Sequence, residues 1–215
     1  MARSPDFQGT QLHLIDATRN FEKALNDVDD EPFADELTLM AQAYRDLGEW
    51  LKGSEAARRS ANGFGQRQGL ENTKKHSIAR VTGADCDYRR FVEKRNPELS
   101  TGVADMNGIV PPEPATQKLA AEASAGYEEA RFDFPAHCTN QLAAIQRWLG
   151  QNGEAIRTYE RGVINNPTET AIHDAYINWM CDLGQEDALV GGYRRFVREK
   201  PDAPILCWFQ GRAIY

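Results

Sequence analysis

Two stretches decide the fold: LGQNGEAIRTYERGVINNP, from Leu149 to Pro167, and LGQEDALVGGYRRFVREKP, from Leu183 to Pro201. They lie 34 residues apart and share one frame. Gly150 and Gly184 each precede a tyrosine (Tyr159, Tyr193) by nine residues, and Pro167 and Pro201 each follow that tyrosine by eight. An apolar residue stands four positions before each tyrosine (Ala155, Leu189), and Gly162 and Phe196 stand three after. Positions −4, 0 and +3 fall on one face of a helix. The proline cannot continue a helix and so closes the unit, while the glycine suits a tight turn between antiparallel helices. Each unit therefore reads as a helical hairpin that buries its apolar face only by stacking on the next.

The frame extends outward in weaker form. Tyr127 and Pro135 repeat the tyrosine–proline spacing 32 residues upstream of Tyr159. Leu119, Ala123, Tyr127 and Ala130 give that segment, 115–132, one apolar helical face. Downstream, Gly211-Arg212-Ala213-Ile214-Tyr215 starts the pattern again. No stretch alternates apolar and polar residues over five positions, so strands are not expected. The predicted fold class is all-α, built of antiparallel helical hairpins.

This pattern resembles the tetratricopeptide repeat (TPR), a 34-residue helix-turn-helix unit. Gly150, Ala155, Tyr159 and Pro167 stand at its turn glycine, small residue, aromatic and closing proline, and Gly184, Tyr193 and Pro201 repeat three of these. The matching units are 136–169 and 170–203. The resemblance implies hairpins stacked as a right-handed solenoid, with a concave groove lined by the first helix of each unit, and a scaffold or adaptor that binds protein or peptide there. By register the groove positions are Asn140, Gln141, Arg147 and Trp148, then Asp174, Asn178 and Asp182, then Trp208 and Arg212. Asn178 stands where some TPR modules hold a peptide backbone. The clamp that takes a C-terminal carboxylate is absent, since Ala171 and Asp174 occupy its places. Ala175-Tyr176-Ile177-Asn178-Trp179 and Tyr159-Glu160-Arg161 also resemble the half-a-TPR (HAT) variant of RNA-processing scaffolds, although Met180 stands where that variant has an acid.

The N-terminal half is less regular. Leu14, Ala17, Phe21, Leu25 and Val28 predict an amphipathic helix over 11–28. Phe33, Leu37, Met40, Tyr44, Leu47 and Leu51 predict another from Phe33 to Ala61, followed by a loop in the Gly-rich 61–69. A third helical stretch is expected in 70–95 with a break at Thr82-Gly83. Ala41, Ala43, Tyr44, Gly48 and Trp50 resemble a degenerate TPR unit at 34–67, three periods upstream of 136–169. Six Pro and Gly residues make 96–114 a semi-rigid connector. The predicted organisation is a helical region at 1–95, that connector, and TPR-like repeats at 115–215.

The chain has 215 residues, with 25 lysines and arginines against 32 acids, a net charge of −7. No apolar run approaches the ~18–20 residues of a membrane span. Met1–Asp6 carries no apolar signal region, and Cys86, Cys138, Cys181 and Cys207 form no CxxC pair. A cytoplasmic protein with reduced thiols is expected. Ligand spacing for a metal, a nucleotide fingerprint and a serine nucleophile elbow are all missing. No cofactor is expected, and a non-enzymatic scaffold is favoured over an enzyme with an active site between the two halves, for which no residues stand out.

Charge is unevenly placed. Residues 22–49 hold nine acids against two bases, and 52–95 hold eleven bases against five acids. Arg58, Arg59, Lys74, Lys75, Arg89 and Arg90, interleaved with Phe64, Tyr88 and Phe91, could meet the phosphates of RNA or another partner. They could equally pair with the acidic block inside the fold. The apolar Ile205–Phe209 segment is expected to serve self-association or a partner.

Overall fold

The computed structural model describes residues 5–25, 29–106 and 108–214, with side chains described from Leu12 onward. Those residues form ten helices and no strand. None of these helices is long and apolar enough to cross a membrane. Two compact units result: residues 1–103 with 112–133, and residues 104–111 with 134–215.

In the first unit, α1 (Pro5–Leu25) packs on α2 (Ala34–Leu47), which forms a hairpin with α3 (Trp50–Gln66). The long α4 (Leu70–Thr101) packs on α2, α3 and α5 (Pro114–Ala130). Val28, the expected end of the first helix, lies outside the described residues. The single helix expected from Phe33 to Ala61 is two, because Gly48 adopts φ 80° and reverses the chain. Its N–H donates to the Arg45 carbonyl, and the next N–H, of Glu49, to that of Tyr44. Leu37, Met40, Ala41 and Tyr44 then bury the inner face of α2.

Three other expectations change. The loop expected at 61–69 is helical to Gln66, α4 has no break at Thr82-Gly83, and the connector begins only after Thr101. Gly63 and Gly83, which read as breakers, are sites of close approach. A Cβ on Gly63 would stand 2.4 Å from the Asp30 carbonyl oxygen, and one on Gly83 3.2 Å from the Ala57 Cβ. Gly126 does the same for α5: its Cβ would lie 2.9 Å from Ala84 of α4. Helix 114–130, expected with the repeats, therefore packs in the first unit.

The ends of α4 and α5 are joined by a buried polar cluster. Arg95, fully buried, donates to Glu98 at 3.0 Å, and the Thr116 hydroxyl donates to the same carboxylate. Burial opposes the Glu98 charge. The Thr116 and Arg95 hydrogen bonds, with one from the Glu113 backbone, outweigh it and hold the carboxyl below its usual range.

The second unit comprises α6 (Pro135–Trp148), α7 (Asn152–Asn165), α8 (Thr170–Asp182), α9 (Glu186–Glu199) and α10 (Ile205–Ile214). α6 packs on α7 and α8, α7 on α8 and α9, α8 on α9, and α9 on α10. Gly150 (φ 75°) and Gly184 (φ 64°) end α6 and α8 with the same two hydrogen bonds as Gly48. Core positions recur 34 apart: Cys138 with Ile172, Thr139 with His173, Leu142 with Tyr176, Ala155 with Leu189, and Tyr159 with Tyr193 are all buried. The Tyr159–Tyr176 and Tyr176–Tyr193 ring centroids lie 6.0 and 6.1 Å apart, a distance favourable for tilted aromatic pairs.

His173 closes this core. Its ring stacks on Phe209 at 3.8 Å and 4°. Nε2 lies 2.9 Å from the Pro167 carbonyl, which can only accept, so Nε2 carries the proton. Nδ1 then accepts from the Tyr193 hydroxyl, also at 2.9 Å. Burial lowers the imidazole pKa, against the opposing pull of the Pro167 hydrogen bond.

Two predictions follow from this packing. Gly63→Ala should destabilise the protein by about 1–3 kcal/mol through overpacking, whereas Gly65→Ala in the same helix, with open space around it, should stabilise it by about 0.5–1 kcal/mol. Urea melts of both variants read this directly; equal effects would remove the close-approach explanation. For His173, the unfolded imidazole protonates near 6.5 while the folded one stays neutral to lower pH. Its contribution to stability is complete above 6.5 and is lost as pH falls below that value. The pH dependence of the melt below 6.5 should flatten in His173→Phe, which keeps the ring stack. An unaltered slope would assign the titration to another group, such as half-buried His76.

Candidate functional site

The positions that the repeat register assigns to a groove in the second unit lie on α6, α8 and α10, and side-chain contacts join these helices. The Arg147 guanidinium of α6 lies 3.5 Å from the ring centroid of Trp179 on α8. Arg212 of α10 donates to Asp174 of α8 at 2.5 Å and lies 5.1 Å from the Trp208 ring centroid. One face thus runs across three helices. Along α8 it carries Asp174, Asn178 and Asp182 at spacings of four, one side of the helix.

The accessible groups on this face are fewer than the register suggests. Asn178, Asp182, Arg147, Trp208 and Arg212 are exposed, with Trp208 at 56%. Gln141 and Trp148 are half-buried. Asn140 turns its Oδ1 inward, where it has no hydrogen-bond partner among the described residues. Asp174 and Arg212 satisfy one another. Trp179, which the register did not pick out, supplies the platform under Arg147, with its Nε1 buried and without a hydrogen-bond partner among the described residues. The signal for it was present: it stands on the same helix one residue after Asn178. On α10, the side expected to be wholly apolar surface is divided. Leu206 and Phe209 are buried against α9, and Trp208 and Ile214 remain exposed.

In the first unit the basic stretch is largely answered from within. Arg59 donates to Asp30 at 2.7 Å and to the Leu25 carbonyl at 2.8 Å. Lys75 pairs with Asp35 and Glu71, Lys52 with Glu22, and Arg67 with Asp35. Arg80 pairs with Glu129. The acidic block is thus the partner of much of the basic one. Lys74 and Arg89 are exposed.

Arg58 and Arg90 have a different setting. Both donate to Asp87, Arg90 at 2.9 Å and Arg58 at 3.3 Å, and Asp87 is almost wholly buried. They line a cleft of about 280 Å³ between α3, α4 and α5, together with Lys94, Lys118 and the single acid Glu122. Lys94 belongs to the basic stretch 52–95 and stands four residues after Arg90 on α4, whereas Lys118 on α5 lies outside that stretch and the sequence alone did not select it.

The thiols divide by setting. Cys86 and Cys138 are buried, and Cys181 and Cys207 are exposed. Burial, with Asp85 and Asp87 nearby, pushes the Cys86 thiol up to about 12. Neither a protein-family model nor a curated protein matches the chain. A maleimide reagent should label Cys181 and Cys207 in the native protein and reach Cys86 only on unfolding, read by peptide mass mapping. Equal labelling of Cys86 would contradict the α3–α4 packing that covers it.

Proposed function

We propose that the protein is a non-enzymatic binding scaffold of TPR-like helical repeats. Its second unit would hold an extended protein or peptide segment along the face of α6, α8 and α10. The observation that carries this reading is the pair of cross-helix contacts, Arg147 on Trp179 and Arg212 with Asp174, which make one continuous polar and aromatic face out of three alternate helices. The repeat reading draws support from the identical glycine caps at Gly150 and Gly184 and from core positions that recur every 34 residues. The third cap of this kind, at Gly48, lies 102 residues before Gly150 and supports a degenerate repeat at 34–67. Met180 is buried where a HAT unit would have an acid, which favours the TPR form.

Recognition would combine two accessible groups. The Asn178 amide can both donate to and accept from a peptide backbone. The exposed Trp208 ring offers a large apolar anchor with few rotatable bonds, flanked by Arg212. Asp182 and Arg147 would set charge preference at the edges.

Selection of a displayed random-peptide library on the purified protein tests this reading. Enriched peptides should lose about tenfold or more in affinity on Asn178→Ala or Trp208→Ala, by the usual weight of a central contact. Arg194→Ala, an exposed change on α9, should leave the affinity unaltered. Peptides that bind all three variants as they bind the parent would overturn the assignment.

A further inference from the structure

Four cationic side chains from three helices converge on the cleft between α3, α4 and α5: Arg58, Arg90, Lys94 and Lys118. We infer that this cleft binds the phosphate group of a small organic phosphate. It is independent of the peptide face proposed for the second unit.

Three observations carry the inference. First, the two guanidinium groups are pre-organised. Arg58 and Arg90 both donate to the buried Asp87, at 3.3 and 2.9 Å, so their heads stand side by side before any ligand arrives. Each guanidinium is a planar fork of donors that suits phosphate oxygens, and two side by side offer several such donors. Second, charge is in excess. Four cations face Asp87 beneath and Glu122 on the wall, which lies 3.4 Å from Arg58 and 3.8 Å from Lys118. Third, the cleft has an apolar side made by Leu51, Leu119 and Ala115, against which the organic part of an ester would rest.

The size and surroundings choose among phosphate sources. A cleft of about 280 Å³ sits at the small end of ligand pockets, typically ~300–1,000 Å³. A nucleic-acid strand needs a positive track that follows its backbone. Much of the rest of the basic stretch offers none, because Lys52, Arg59, Arg67 and Lys75 are paired with acids of the 22–49 block. The ligand is therefore a compact phosphate ester and not a polynucleotide.

Calorimetric titration of the full chain with inorganic phosphate, inorganic pyrophosphate and phenyl phosphate at low ionic strength tests this. All three should bind saturably, and phenyl phosphate should bind more tightly than inorganic phosphate because of the apolar wall. Lys94→Gln and Lys118→Gln should each weaken binding by about tenfold, and Glu122→Gln should strengthen it, since the competing carboxylate is removed. Lys74→Gln, outside the cleft, should change nothing. These side chains are exposed or half-exposed, and a matching thermal melt confirms that each variant is folded. Absence of saturable binding, or equal weakening by Lys74→Gln, overturns the inference. So does a single-stranded RNA oligonucleotide whose affinity grows with its length and falls on Lys74→Gln as much as on Lys94→Gln.

Discussion

A chain that turns back within two or three residues leaves the last carbonyls of its helix open, and three glycines resolve this in the same way. Gly48, Gly150 and Gly184 enter the left-handed region, and two backbone hydrogen bonds close each helix end. A side chain at those positions would meet the steric penalty of that region, which is ~1–2 kcal/mol. The helices on either side are thereby set antiparallel, each with one apolar face that its partner alone cannot cover. In the second unit rings fill the remainder. Tyr159, Tyr176 and Tyr193 come 17 residues apart, half a period, so they step from α7 to α8 to α9. Phe209 and His173 then close the series.

Burying polar groups in such a core is acceptable only if their hydrogen bonds are made. His173 meets that condition as a neutral ring, donating to Pro167 and accepting from Tyr193. The proline that closes one hairpin thus also fixes the first helix of the next. Arg95 meets it as an ion. A buried guanidinium without a partner costs several kcal/mol, so Glu98 must stay charged beside it. The Thr116 hydroxyl and the Glu113 backbone keep it so. This cluster ties the end of α4 to the start of α5 across a gap in regular structure, which the Pro-rich composition of 102–113 did not disclose.

The hairpins of the second unit were legible because their punctuation is local. A glycine in a turn and a proline after a helix act through the backbone, and sequence spacing records them. The first unit was read less well where the same residues act through packing. Gly63 and Gly83 look like breakers, yet each, like Gly126 in α5, stands where a neighbouring backbone or small side chain comes close to the place of a Cβ. Close contact between helices outweighs the ~1 kcal/mol that glycine costs a helix. For the same reason helix 114–130, whose tyrosine and proline fit the repeat frame, packs on α4. Its Tyr127 hydroxyl donates to Asp85 at 2.7 Å, a partnership that no periodicity could announce.

The proposed binding groups show the same division between what position implies and what neighbours decide. Register alone put Asn140, Asp174 and Asn178 on one face, and they do stand on α6 and α8. Whether each is available depends on a second side chain far away in sequence. Arg212, 38 residues on, takes up Asp174, while Asn178 stays exposed. Charge counting fails likewise. Residues 52–95 carry an excess of six bases, but the acidic block that precedes them answers Lys52, Arg59, Arg67 and Lys75. What distinguishes Arg58 and Arg90 is the buried carboxylate of Asp87 between them. One negative charge holds two positive ones at the lip of a cleft, and Lys94 and Lys118 add to the surplus. A site for an anion is thus defined here by an acid, because the acid fixes where the opposing charges stand.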